Sequence, residues 1–393
     1  MDNVKIVTIS SAVRGLGYSS IWIYGSIYMT RFLGLSTFMT SIVFMSSGIL
    51  ASISQFSGGA LGDRIGHRKV FVTFLFTLFL VSFILATMHS INASPILFPL
   101  LFGLIMVVNA LQSPSSNALV SRSSSIQLKG FSIMRVGNNL GWGFGPAIGG
   151  FILSLYGFPG IFYFFMVASL LSTVISLFIS DVKPGGKTVL FKFNKDNYAL
   201  IVISIAAMLV FMVQAQETLS LSLYSFGIFS GTYYEIGIVY MLNGILVVVT
   251  QPLFYKISSR IGEYSSLVIG SLIYTLGFAS YGFDANLTQM LISTAIFTMG
   301  ENLAFPTGYS IVASISRKER IGTNIGLYNA FISFGRSFGP LIGGLLLPIV
   351  SSHILFWLYV CSPGFAAVII LIVFTKLIRD YRSRFNRESE ATT

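Results

Sequence analysis

The sequence predicts an all-α membrane protein. Twelve transmembrane helices form two pseudo-symmetric six-helix bundles. Three observations carry this: a composition too apolar for water, twelve long apolar runs, and a motif set that repeats about half a chain later. Of 393 residues, 54% are hydrophobic and only 9% are charged. Soluble domains carry about 25% charged residues. A mean hydropathy of +0.81 points the same way. This excludes a soluble enzyme, a nucleic-acid binder and a disordered chain.

A helix needs about 20 mostly apolar residues to cross a bilayer. Such runs are expected at 6–30, 37–61, 70–88, 96–120, 131–155, 158–180, 198–228, 232–254, 265–283, 287–314, 323–349 and 353–377, and are called spans one to twelve. With twelve spans, both termini and the even-numbered loops share one side. That side holds 20 of the 24 basic residues and the opposite side only Arg31, while Arg14, Arg135 and Arg336 fall within spans. The positive-inside rule then places both termini in the cytoplasm of a multi-pass plasma-membrane protein. The net charge of +11 sits in these loops, which explains it without a nucleic-acid partner. One cysteine and three scattered histidines offer neither a disulfide framework nor a metal site. No cofactor motif is present. Gly186-Lys187-Thr188 ends like a phosphate loop, but Asp181 stands where that loop needs glycine.

The halves echo each other. Gly141, Gly145-Pro146 and Gly149-Gly150 return as Gly335, Gly339-Pro340 and Gly343-Gly344. Asn109 to Pro114 returns as Glu301 to Pro306, and Arg64-Ile65-Gly66 as Arg260-Ile261-Gly262. The expected organisation is therefore a bundle at 1–180, a linker at 181–197, a second bundle at 198–380 and a tail at 381–393.

On these residues the chain resembles the major facilitator superfamily over its whole length, with a drug/proton-antiporter-like pattern. The family's loop signature, G-x-x-x-D-R-x-G-R-R/K, is met by Gly59, Asp63, Arg64, Gly66 and Arg68; His67 stands where a basic residue is usual and Ser259 replaces the aspartate in the second half. The family's helix-five motif is met by Gly141, Gly145, Pro146, Gly149 and Gly150. The resemblance implies a latch around Asp63 that closes the cytoplasmic side. It also implies a central cavity lined by spans one, four, seven and ten, and a protein that works as a monomer.

Polar residues inside a bilayer mark function by default. The substrate-cavity candidates are Arg14, Tyr18, Trp22, Asn109, Gln112, Gln214 and Asn302. Each has a plainer reading: Arg14 snorkelling to the interface, Trp22 as packing. The proton-coupling candidates are Glu301, Glu217 and Arg336. Glu301 and Arg336 fall at similar depth, where adjacent spans can pair them. The pattern predicts a secondary active transporter, not an enzyme, moving a small-molecule substrate by alternating access. Proton-coupled efflux of amphipathic or drug-like compounds leads. Uptake of a polar or anionic metabolite (sugar, organic acid or peptide) and lipid flipping stay open.

Overall fold

The computed structural model describes residues 2–88, 93–123, 127–180, 198–229, 232–316 and 321–390. Every extended element among them is helical. Span one is Asn3–Ile27, two Thr37–Ile65, three His67–Thr87 and four Leu97–Ser123. Spans five and six are the two arms of Gln127–Ser176, broken at Gly157, whose φ of 66° is left-handed and outside any helix. Span seven is Tyr198–Gln214 and Ser220–Ile228, joined through a tight turn at Ala215–Glu217. Eight is Tyr233–Ile261, nine Glu263–Ser280, ten Leu287–Ser314, eleven Ile321–Leu346 and twelve His353–Glu390. The 181–197 linker lies outside the described residues.

By length and apolarity, eight helical stretches among the described residues could each cross a membrane. They cover all spans except one, ten and eleven, which carry Arg14, Glu301 and Arg336.

The chain folds as two compact units. The first is Met1–Thr188 with Glu217–Val248, and the second is Val189–Gln216 with Val249–Thr393. In the first, span five lies directly on span one. Gly137, Gly141, Gly145 and Gly149 recur at four-residue spacing, and each faces span one. A Cβ on Gly141 would sit 2.7 Å from the Ala12 carbonyl oxygen and 3.0 Å from Gly15 Cα; one on Gly145 would sit 2.4 Å from the Leu16 oxygen. Contact this close lets dispersion act between backbones where lipid offers no hydrophobic drive. Hydroxyls complete it: Ser19 donates to the Gly141 carbonyl at 3.1 Å and Ser20 to the Gly145 carbonyl at 2.7 Å. On the far side of span one, Ser10 and Ser172 of span six each donate to the other's carbonyl at 2.9 Å. The other face of span five meets the outer half of span eight, where Gly143 opposes Gly244 and Ala147 opposes Gly237.

The second unit repeats the pattern. Gly335 and Gly339 of span eleven lie on Met208 and Met212 of span seven, again against carbonyl oxygens. The repeated Arg-Ile-Gly also acquires a physical cause. Gly66 (φ 100°) and Gly262 (φ 85°) are one-residue links between spans two and three and between eight and nine. A side chain at such a φ costs about 1–2 kcal/mol.

Outside the spans, Asp284 links nine to ten and is 8% exposed. Burial raises its carboxyl from 3.8 to about 6, against the Ser293 hydroxyl that donates to it at 3.1 Å. Cys361, the only thiol, is fully buried in span twelve.

Two outcomes follow from this packing. Gly141→Leu forces a branched side chain against span-one backbone, and overpacking of this kind costs about 1–3 kcal/mol. A lower melting temperature in detergent and abolished transport are expected, with Gly141→Ala intermediate; full activity would show that this face is not tightly packed. Asp284 binds its proton more tightly folded than unfolded, so stability declines as pH rises from about 4 to 6 and then levels. Asp284→Asn removes that slope and gains stability only above this window. A wild-type curve parallel to the variant's would show that Asp284 does not titrate there.

Candidate functional site

The polar residues singled out in the spans fall into separate clusters. The first is built on span one, where Arg14, Tyr18 and Trp22 are spaced four apart and so share one face. Arg14 lies eleven residues in from Asn3, about 16 Å at 1.5 Å per residue. That is deeper than the expected span start implied. It does not run along the helix to the interface. Its Nη1 donates to Asn109 Oδ1 near the middle of span four. The Nε of Arg14 is buried without an acceptor. The Tyr18 hydroxyl also meets Asn109. Gln112 is 2% exposed, and its Nε2 donates to the Asn109 carbonyl at 3.0 Å.

Beyond Arg14 the same face becomes aromatic. Tyr18 and Trp22 have ring centroids 5.9 Å apart. Trp142 of span five meets Tyr18 edge-on at 5.8 Å and Trp22 at 6.3 Å. Phe44 and Phe102 back Trp22 at 5.5 and 6.3 Å. Trp142 is 42% exposed and Arg14 and Trp22 are partly exposed, so the group can be reached. Sequence reasoning missed Trp142, although it stands inside the helix-five motif. The glycines around it were read as a smooth face, and the tryptophan they carry to that face was not.

The second unit holds a parallel arrangement. Arg336 Nε donates to Gln214 Oε1 at 2.8 Å, and its guanidinium lies 4.7 Å over the Phe211 ring. Phe211 stacks on Phe305 at 4.5 Å and with it lines a small apolar cleft. Among the described residues no ion pair joins Arg336 to Glu301. Gln214, the last helical residue before the break in span seven, is the acceptor in reach. Gln216 faces span eleven and is fully buried, donating to the Gly339 carbonyl at 2.7 Å. Asn302 is 3% exposed and donates to Thr250 of span eight at 2.8 Å. Glu217 closes the 3-10 turn of span seven, and its carbonyl accepts from Tyr240 and Ser222.

At the ends of spans two and four, Asp63 Oδ1 stands 3.2 Å from His67 Nε2 and 3.6 Å from Arg122. The other ring nitrogen of His67 is 3.2 Å from the Ser115 hydroxyl. Gly62 makes room, since a Cβ there would meet His67 Nδ1 at 2.2 Å. Arg68 donates to the Leu177 carbonyl at 3.2 Å. Arg64 is exposed, and Gly59 passes Pro114 without a close contact. Arg122, one of the basic residues of the even-numbered loops, shares the carboxylate of Asp63.

Twelve spans, with the Asp63 cluster at the ends of spans two and four and the glycine contacts between spans, make a membrane-embedded transporter fold. The sequence model of the Major Facilitator Superfamily matches residues 7–283 and 203–392, and the chain belongs to that family. It is 26% identical over 362 residues to YttB, an uncharacterized MFS-type transporter of Bacillus subtilis, covering 88% of each chain. It is 24% identical to the multidrug resistance protein MdtG of Proteus mirabilis over 71% of each. Among solved structures, the nucleoside transporter NupG superposes with a TM-score of 0.74 at 15% identity, covering 96% of this chain and 100% of that one. A POT family transporter in complex with 5-aminolevulinic acid gives 0.78 at 16% identity, covering 96% of each. At such identities the two structures establish the fold alone.

Asp63→Asn leaves Arg122 and His67 without their shared carboxylate. Faster cytoplasmic labelling of a cysteine placed at Asn109 is the expected result, with insertion unchanged. Unchanged labelling would reduce Asp63 to a determinant of topology.

Proposed function

We propose that the protein is a secondary active transporter that exports small amphipathic solutes in exchange for protons by alternating access. The observation that carries this reading is the strip Arg14–Tyr18–Trp22–Trp142. It sets a polar end and an aromatic wall side by side at mid-membrane depth, the pairing an amphipathic molecule needs. Ring faces bury large apolar area and tolerate many shapes, which suits a broad substrate range. Similarity to a multidrug resistance protein over 71% of each chain supports export. Both termini then lie in the cytoplasm, the side that receives 20 of the 24 basic residues, and the latch around Asp63 closes that side.

Glu301, in the polar half-turn repeated from span four, is the proposed proton carrier, with Glu217 at the break in span seven as the alternative. Arg336, resting on Gln214 and Phe211, is free of any carboxylate within ion-pair distance among the described residues. Rocking of span eleven against span seven can bring it toward Glu301, and a guanidinium arriving there would expel the proton.

The test is transport into proteoliposomes under an imposed pH gradient, with a panel of amphipathic amines, amides and carboxylates. Glu301→Gln is expected to lose gradient-driven accumulation and keep downhill exchange, while Glu217→Gln keeps both. If Glu301→Gln still accumulates solute, Glu301 is not the carrier. If the double variant does so too, no span carboxylate of this pair couples transport to protons.

A further inference from the structure

The Arg14 cluster has a chemistry that the export reading leaves open. Arginine is always charged and carries five N–H donors. Burying it within a bilayer is costly unless its charge and donors are met. Here one neutral amide, Asn109, accepts from it, the Nε has no acceptor, and among the described residues no carboxylate lies within ion-pair distance. The protein therefore maintains a positive charge at mid-depth with most of its donors unspent. Asn109 is held from behind by the Gln112 amide at 3.0 Å. Gln112 itself keeps a buried oxygen without a donor, so the cluster is under-satisfied on the Gln112 amide and on the guanidinium. Directly outward along the same helix face stand Tyr18 and Trp22, with Trp142 of span five against both.

We infer that the Arg14 cluster is a binding site for the anionic head of an aromatic amphiphile, a carboxylate or sulfonate whose ring body lies against Tyr18, Trp22 and Trp142. The inference rests on the amphiphile-transport reading and fixes the sign of the substrate's charge. A planar carboxylate takes two parallel hydrogen bonds from a guanidinium. That supplies the acceptor which the Nε lacks. A ring carried two or three carbons beyond the head reaches the next helical turn, about 5.4 Å on, where Tyr18 stands. An ammonium head in the same place meets like charge and no acceptor. The competing explanation is a structural one, in which Arg14 only braces span one to span four through Asn109.

The experiment measures equilibrium binding of 3-phenylpropionate, 3-phenylpropanamide and 3-phenylpropylamine to the purified full chain in lipid nanodiscs at pH 7. Quenching of tryptophan fluorescence reports binding, since two of the three tryptophans flank the site. The acid is expected to bind at least tenfold tighter than the amide, with the amine weakest. Arg14→Gln should bring the acid down to the level of the amide while changing the amide itself less than twofold. Asn109→Asp, which gives Arg14 an internal counter-ion and keeps the brace, should abolish the preference as well. Acid and amide binding equally to the wild type would overturn the inference and leave amphiphile transport standing. So would a preference that survives both substitutions, which is the outcome expected of a pure brace. If none of the three binds, the amphiphile reading of the site falls with it. Should Arg14→Gln fail to insert, the wild-type ranking and Asn109→Asp decide between the same outcomes.

Discussion

The contact of Gly141 with Ala12 and Gly15 is a backbone-to-backbone contact, and the positions of the first unit's polar and aromatic groups follow from it. Because no side chain intervenes, span five lies close enough for Ser19 and Ser20 to reach its carbonyls. Because Trp142 follows Gly141 directly, the same approach delivers an indole to Tyr18 and Trp22. With its fifth-span side so occupied, span one turns Arg14 toward span four, where Asn109 is the acceptor. A glycine here is a distance setting, and the chemistry of the site is expressed through that distance.

Hydrocarbon imposes a second demand, that every backbone group find a partner inside the protein. Span seven breaks at Ala215–Glu217 and would leave carbonyls bare at mid-depth. Tyr240 and Ser222 donate to the carbonyl of Glu217, and Gln216 returns to Met212 while also reaching Gly339. Each of these side chains is polar within a span, yet each serves backbone accounting. Polarity inside the bilayer thus divides into groups that repair the main chain and groups left with capacity to spare. Arg14 belongs to the latter.

The architecture was legible in the sequence because its causes are one-dimensional. Apolar run length, basic residues on alternate loops and glycine at four-residue spacing can all be read without coordinates, and so can the repeated Arg-Ile-Gly, whose left-handed glycines explain why it recurs. The site was legible in its members but less so in its partners. Depth along a helix gave Glu301 and Arg336 the same level, but rotation about the helix decided that Arg336 meets Gln214. The break in span seven has no proline or glycine to announce it, so a continuous helix was expected there. Trp142 and Arg122 were hidden by motifs that assigned their neighbours a role and them none.

The burial of Cys361 has a consequence for how the protein meets its surroundings. With a single sulfhydryl in the whole chain, sealed in span twelve, no pair exists for an internal disulfide, and the one sulfur has no exposed surface through which to join another copy or react with peroxide. Thiol–disulfide exchange on either side of the membrane therefore passes this transporter by.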